Sequence, residues 1–299
     1  MIPLFVYADR VVDGETQSIF LGERMFPIAV VLGIVALISF FITVMNVEER
    51  VIHVEGEKES KSQRKFSYSR TLKDFFRNRA IVGLSVSALA MLTLFTGASQ
   101  LNNLTYQLYF KDGSLISFSM ITQIAPVLVG MLIAPKLTEK YGKKACAAIP
   151  SLITAIIFAI MAIMPITNPF IWIGLQVIAN VVVCVPMVAT WAMVSDAIDY
   201  QELKTGERNE GSIYATYSLV RKFGQAIGSA LVPAAIAFLI PGLDVADAST
   251  WSADYANQVR IMSVLFPAVG WFIQFLAYQY IYPIGKQEEL EIEQAMKAN

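Results

Sequence analysis

Six stretches of the chain, 25–47, 80–110, 113–135, 145–195, 223–243 and 261–285, contain no Asp, Glu, Lys or Arg. A helix needs about 20 apolar residues to cross a hydrocarbon layer about 30 Å thick, so each stretch can hold one crossing and the fourth can hold two. Within the fourth, MPITNPF (164–170) places two prolines and an asparagine where a turn would divide it. The fifth extends backwards, because SIYATYSLV (212–220) continues the apolar pattern ahead of Arg221 and Lys222. The pattern predicts seven helices, near 26–47, 80–100, 115–135, 145–164, 169–194, 212–240 and 259–282, and an all-α polytopic membrane bundle.

The polar segments set the organisation. Residues 48–79 are long, polar and basic, a composition suited to a linker between two bundles. Its last part, TLKDFFRN, is expected to lie on the membrane surface with Leu72, Phe75 and Phe76 toward the lipid and Lys73 and Arg77 toward phosphates. With 48–79, 136–144, 195–211 and 286–299 on one side, seventeen of the twenty-three Lys and Arg lie there and four lie opposite. The positive-inside rule then puts the N-terminus outside and the C-terminus in the cytoplasm. Residues 1–25 form an outer segment whose opening MIPLFVYA reads as the end of a preceding helix. The expected domains are that segment, a helix at 26–47, the linker 48–79, a six-helix bundle at 80–285 and a cytoplasmic tail at 286–299.

Composition narrows the chemistry. Of 299 residues 56% are hydrophobic and 16% charged, and the mean hydropathy is +0.54. A net charge of −1 leaves no footprint for nucleic acid, and the one histidine, His53, has no ligand cluster around it, so no metal site is expected. Cys146 and Cys184 stand in apolar runs without CxxC spacing and read as small core residues. No GxSxG or phosphate loop suggests an enzyme.

The stretch MVSDAIDYQELKTGERNEGSIYATYSLVRKFGQAIGSAL (193–231) resembles the signature of the glycoside-pentoside-hexuronide:cation symporters, the melibiose permease group of the major facilitator superfamily. The residues that carry the likeness are Asp196, Asp199, Tyr200, Glu202, Gly206, Arg208, Glu210, Gly211, Lys222 and Gly224. GMLIAPKLTEKYGKK (130–144), with Lys140, Gly142 and Lys143, is similar to the superfamily's short basic loop, and RTLKDFFRNRAI (70–81) to the approach to its second bundle. The resemblance implies a secondary transporter for a sugar or glycoside, coupled to Na+ or H+, in the cell (inner) membrane. It also implies twelve helices in two halves, of which this chain supplies the counterparts of six to twelve. The cation site and much of the sugar site belong to the other half, so a coupling cation is expected only in the complete transporter, and a first half is a candidate partner beside the sugar and the bilayer. No other cofactor is expected.

The candidate chemistry falls into two groups. Asp196, Asp199 and Glu202 recur every three residues at the C-terminal end of the fifth span, where the helix dipole makes three carboxylates unfavourable without cations. Arg208, Lys136, Lys140, Lys143 and Lys144 are the available partners, and the group reads either as a cytoplasmic gate (with Tyr200, Gly206 and Gly142) or as a solvated topology signal. Lys222 stands roughly 14 Å into its span, where an unpaired charge costs a few kcal/mol on insertion scales. Arg221, about 100° away, is the expected snorkeller. The family's matching lysine lies in the central cavity, which Tyr217 and Ser218 would share. Two stripes, Thr96, Gln100, Asn103 and Gln107, and Gln176, Asn180, Val183, Met187 and Trp191, read equally as sugar contacts or as helix–helix hydrogen bonding. Gly224 and Gly228, spaced GxxxG, suit close helix packing. A relative carrying a non-sugar solute is the alternative, and a seven-helix receptor a remote one, since 261–285 holds no lysine for a retinal-type linkage.

Overall fold

The computed structural model describes residues 7–12, 15–20, 25–47, 75–113, 115–206, 210–243 and 252–298, with the side chains of 7–20, 121–128, 297 and 298 outside that description. Met1–Phe66 and Ser67–Asn299 form two units. The first holds strands β1 (Tyr7–Val12) and β2 (Glu15–Phe20), paired antiparallel from Tyr7 opposite Phe20 to Val12 opposite Glu15, and helix α1 (Met25–Asn46). The hairpin replaces the helix end expected from MIPLFVYA at Tyr7 and Ala8. Its signal was local: Asp-Gly between two runs of strand formers is, with Asn-Gly, the strongest short-range hairpin signal.

The second unit is a bundle of α2 (Arg79–Leu108), α3 (Leu115–Tyr141), α4 (Lys143–Ile163), α5 (Pro169–Thr205), α6 (Glu210–Leu239) and α7 (Ala253–Leu276), followed by a π-helical turn at Ala277–Ile281 and by α8 (Lys286–Ala298). Among the described residues α1, α2, α4, α5, α6 and α7 with its π turn are long and apolar enough to cross a membrane. The seventh expected crossing is α3, of 27 residues, with part of its side chains undescribed.

Local chemistry starts and stops these helices. Asn78 caps α2 by accepting from the backbone N–H of Ala80 and Ile81 at 3.0 and 3.3 Å. Asn168 caps α5 through the Phe170 N–H at 2.9 Å, with Pro169 at the first helical position, so MPITNPF is the turn its composition indicated. Gly206 closes α5 in the left-handed region (φ 69°), donating its N–H to the Glu202 carbonyl at 2.7 Å. Because α5 continues to Thr205, eleven residues past the expected end at 194, the residues Asp196, Asp199, Tyr200 and Glu202 all stand on helix.

In lipid, apolar contact alone does not favour helix association, so close approach at small residues matters more. Here α2 packs against α7 and α6, α7 against α4, α4 against α5, and α5 against α3. Gly224 faces Leu89 and Gly228 faces Thr93, one turn on, so α6 runs parallel to α2 at near-backbone contact and the GxxxG expectation holds. Gly270 meets α2 at Leu94, and Gly130 meets α5 at Cys184. Cys146 and Cys184 are buried thiols that form no disulfide with each other.

Two expectations for polar segments change. Phe75 is buried in the core with Ile81, Leu84, Ile198 and Ile292, and only Phe76 is exposed, so the surface-lying reading fails for Phe75; Leu72 and Lys73 lie outside the described residues. The tail expected at 286–299 is helical to Ala298, and Ile292 and Met296 pack on the same core cluster.

Candidate functional site

At the end of the bundle carrying Lys140, Lys143 and Lys144, here called the basic end, the Lys143 Nζ lies 2.5 and 2.7 Å from the two Asp196 carboxylate oxygens, joining the start of α4 to the end of α5. Both side chains are largely screened, with 29% and 14% exposed. The Lys143 backbone N–H donates to Glu289 Oε1 of α8 at 3.0 Å. Lys144 Nζ donates to the Tyr282 carbonyl at 2.8 Å, and Lys286 Nζ to the Lys140 carbonyl at 2.7 Å. Gly142 (φ 85°) makes this docking possible, since a β-carbon there would stand 3.0 Å from Lys286 Cβ. Among the residues expected in the gate, Asp196 and Lys143 therefore form an ion pair inside one bundle, Lys140 accepts from the C-terminal helix, and Gly142 and Gly206 are backbone stops. Tyr200 accepts from Lys204, which also covers its ring. Asp199 and Glu202 lie on the same helix face and have partners of their own. Arg208 lies outside the described residues.

A second group joins α5 to α6. The Arg221 guanidinium stands 4.7 Å from the ring centroid of Trp191 and 5.8 Å from that of Tyr217. The two rings meet edge to face at 6.3 Å, and Tyr214 lies 6.5 Å from Trp191. Tyr217 is buried, while Trp191, Tyr214 and Met187 are exposed. Arg221, expected to snorkel, has its guanidinium on the rings of Trp191 and Tyr217, covering one face of the Trp191 ring that was expected to stack on a pyranose. Lys222 is exposed and donates to Gln225 Oε1 at 3.3 Å on its own helix. Ser218, Lys222, Gln225 and Ser229, spaced four, three and four, form a polar stripe along α6, each exposed or half-buried. Gln225 and Ser229 were missed in the sequence, although their spacing from Lys222 carries the signal. On the other side of α6, Leu219, Phe223 and Ile227 are exposed and apolar.

The structure does not bring all the sugar-site candidates together. The parallel register of α2 and α6, with Gly224 at Leu89 and Gly228 at Thr93, puts Gln100 fourteen residues, about 20 Å, beyond the level of Arg221. Asn103 lies further still. On α5, Asn180 is eleven residues from Trp191, about 16 Å along the axis. Gln100 is exposed and Asn103 and Asn180 half-buried at that far level, out of reach of a ring held at Trp191. Beside them Asn102 Oδ1 accepts from Gln176 Nε2 at 2.7 Å and from Trp172 Nε1 at 3.2 Å, and the Tyr106 hydroxyl donates to Gln176 Oε1 at 3.2 Å. Gln176 thus follows the helix–helix reading of its stripe.

Among the described residues no group of three or more His, Cys, Asp or Glu is placed to hold a metal ion. The profile of the family described as MFS/sugar transport protein matches residues 14–286. The uncharacterized symporter YjmB of Bacillus subtilis (strain 168) is 26% identical over 89% of this chain and 56% of its own length. The glucuronide carrier protein homolog of Escherichia coli (strain K12) is 27% identical over 79% of this chain and 47% of its own length. The isoprimeverose transporter of Lactiplantibacillus pentosus is 24% identical over 96% of this chain and 56% of its own length. The chain spans about half the length of these curated relatives, and each bears the name of a symporter, carrier or transporter rather than of an enzyme.

Proposed function

The chain belongs to the MFS/sugar transport protein family, and on that premise we propose that it provides one bundle of a secondary active transporter that moves a sugar or glycoside with a cation, Na+ or H+. The protein is a multi-pass membrane protein; we place it in the cell (inner) membrane with its basic end in the cytoplasm, a reading supported by the side on which its Lys and Arg gather.

The observation that carries the proposal is the polar stripe of α6. Ser218, Lys222, Gln225 and Ser229 occupy one side of a helix whose opposite side exposes Leu219, Phe223 and Ile227. A cation facing hydrocarbon is costly, whereas one facing a hydrated cavity is not. The stripe therefore faces a cavity, and the relatives' greater length supports a second bundle closing its other side. Residues at the Trp191–Arg221 level hold the solute; the far-level group at Gln100, Asn103 and Asn180 lines its path.

The test is uptake of radiolabelled glycosides by proteoliposomes containing the chain together with the first bundle of a family member. Accumulation should follow an imposed Na+ or H+ gradient and collapse when an ionophore dissipates it. Uptake indifferent to both gradients would exclude coupled transport.

A further inference from the structure

We infer that the start of α2 holds the headgroup of an anionic phospholipid, with Arg77 and Arg79 as the groups that grip its phosphate. The inference concerns the face that meets the bilayer and stands apart from the solute carried.

Residues 75–79 alternate between core and surface, and the core contacts fix the backbone of the rest. Phe75 is buried with Ile81, Leu84 and Ile198. Asn78 is buried as well, and besides capping α2 its Nδ2 donates to the Ala197 carbonyl and to Gln201 Oε1 on α5, both at 3.0 Å. Phe76, Arg77 and Arg79 are exposed on this anchored backbone. The Phe76 ring meets Phe75 edge to face at 5.4 Å and remains 69% exposed. One turn along α2 from Arg79, a β-carbon on Gly83 would stand 2.9 Å from the Tyr282 nitrogen, so the chain just past the π-helical turn lies against this end of α2. Tyr280 of that turn is 71% exposed. Two exposed aromatic rings at the end of a membrane-spanning helix, with two arginines, have the make-up of the boundary between acyl chains and headgroups.

The charges at this end do not balance. Among the described residues no carboxylate pairs with Arg77 or Arg79. Arg79 is also close enough to Lys144 for the two charges to repel, and Glu288 of α8 is the acid that acts on Lys144. The Lys144 ammonium donates to the neutral Tyr282 carbonyl, which cancels none of its charge. One carboxylate against three cations leaves a net positive charge that a second anion relieves. A phosphodiester supplies that anion as a good acceptor for guanidinium N–H groups. Its acyl chains also cover Phe76 and Tyr280, which a free phosphate would leave in water. A zwitterionic lipid brings its own cation beside the phosphate and so gains less from the two arginines. Because Phe75 and Asn78 hold the backbone beforehand, binding orders only the arginine side chains.

The experiment is native mass spectrometry of the purified chain in detergent, titrated with dioleoyl phosphatidylglycerol or with dioleoyl phosphatidylcholine. The native chain should bind its first phosphatidylglycerol at least about tenfold more tightly than phosphatidylcholine. A cationic side chain near an anionic headgroup is worth about fivefold in affinity. Arg77→Gln and Arg79→Gln should therefore each weaken phosphatidylglycerol by about fivefold and their combination by about twentyfold, with phosphatidylcholine held within about twofold. The single changes carry the test if the double variant inserts poorly. Lys136, exposed at the same end on α3, is the control, and Lys136→Gln should stay within about twofold of the native chain. Excess sn-glycerol 3-phosphate should not displace the lipid. Equal affinity for the two lipids would overturn the inference. So would an equal loss in Lys136→Gln, which would mean diffuse attraction to a basic surface, and so would displacement by glycerol phosphate, which would mean a site for the free anion.

Discussion

A β-carbon on Gly228 would stand 2.4 Å from the carbonyl oxygen of Thr93. One turn earlier, a β-carbon on Gly224 would meet the Leu89 carbonyl at 3.2 Å, so α6 and α2 approach through two successive glycines and share one register. That register sets the level of Arg221 and Lys222 against everything on α2.

Gly228→Val should therefore separate the two helices. The β-carbon meets backbone, which cannot rotate away, and overpacking of this kind costs about 1–3 kcal/mol. Gly211→Ala, where nothing lies within 4 Å of the added atom, serves as the control and should hold or slightly gain stability. Thermal unfolding of both in one detergent checks this, and equal melting temperatures would show that α2 and α6 do not meet at Gly228.

The Lys143–Asp196 pair predicts a coupling. Asp196→Asn removes the charge that faces Lys143 at 2.5 and 2.7 Å, and Lys143→Gln removes its partner. Each single change leaves a screened charge behind and should cost about 1–3 kcal/mol, while the double change should cost clearly less than the sum. A double-mutant cycle on unfolding in detergent measures it. Additive losses would mean that the two groups act separately.

What could be read in the sequence follows from where each signal resides. Helix lengths and the Asn168–Pro169 turn depend on nearby residues, and a charge-free run of membrane length admits few other conformations. Gly224 and Gly228 were legible because a spacing of four places them on one face whatever the neighbour. Partner choice is not local. Asn102 rather than Asn103 bonds Gln176, which follows from the rotation of α2 toward α5, and periodicity fixes a stripe without fixing the direction it faces. Arg221 looked like a snorkeller because Trp191, thirty residues earlier, belongs to another helix. The docked face of α8 rests on little more than Ile292 and Met296 in a charged segment, too few apolar positions to distinguish a packed helix from a solvated tail.

Docking of α8 should depend on pH through Glu289. Burial pushes its carboxyl above the ordinary value, while the hydrogen bond from the Lys143 N–H and the charge of Lys143 pull it down, and Asp196 adds to the rise. A carboxyl raised in the docked state favours docking most when protonated. The contribution is complete below the ordinary carboxylate value of about 4.3 and is lost as the pH climbs through the raised one. Hydrogen exchange along 286–298 should accordingly quicken as pH rises across that window, after correction for intrinsic exchange, and Glu289→Gln should remove most of the dependence. The same slope in Glu289→Gln would point to another group.

Arg260 predicts stability at the far end of the bundle. Only 2% exposed, it donates from Nη1 to the carbonyls of Met161 and Met164 at 3.1 and 2.9 Å, while Asn257 Oδ1 accepts from its Nε at 3.0 Å. Those carbonyls end α4, where the helix leaves acceptors unpaired and the dipole favours a cation. Its guanidinium also lies 5.4 Å from the Tyr109 ring, so one side chain ties α7 to the end of α4 and to the turn after α2. Arg260→Ala leaves two carbonyls without their donor and should lower stability by about 2–4 kcal/mol. Arg260→Lys keeps the charge but not the fork, and should recover less than half of that loss. Amide exchange in 160–166 should rise in the alanine variant with little change near Trp191, which stands about 33 Å along α5 from Pro169. Full recovery by lysine would reduce the role to charge at a helix end, and an unchanged melting temperature in Arg260→Ala would remove Arg260 from the packing of α4.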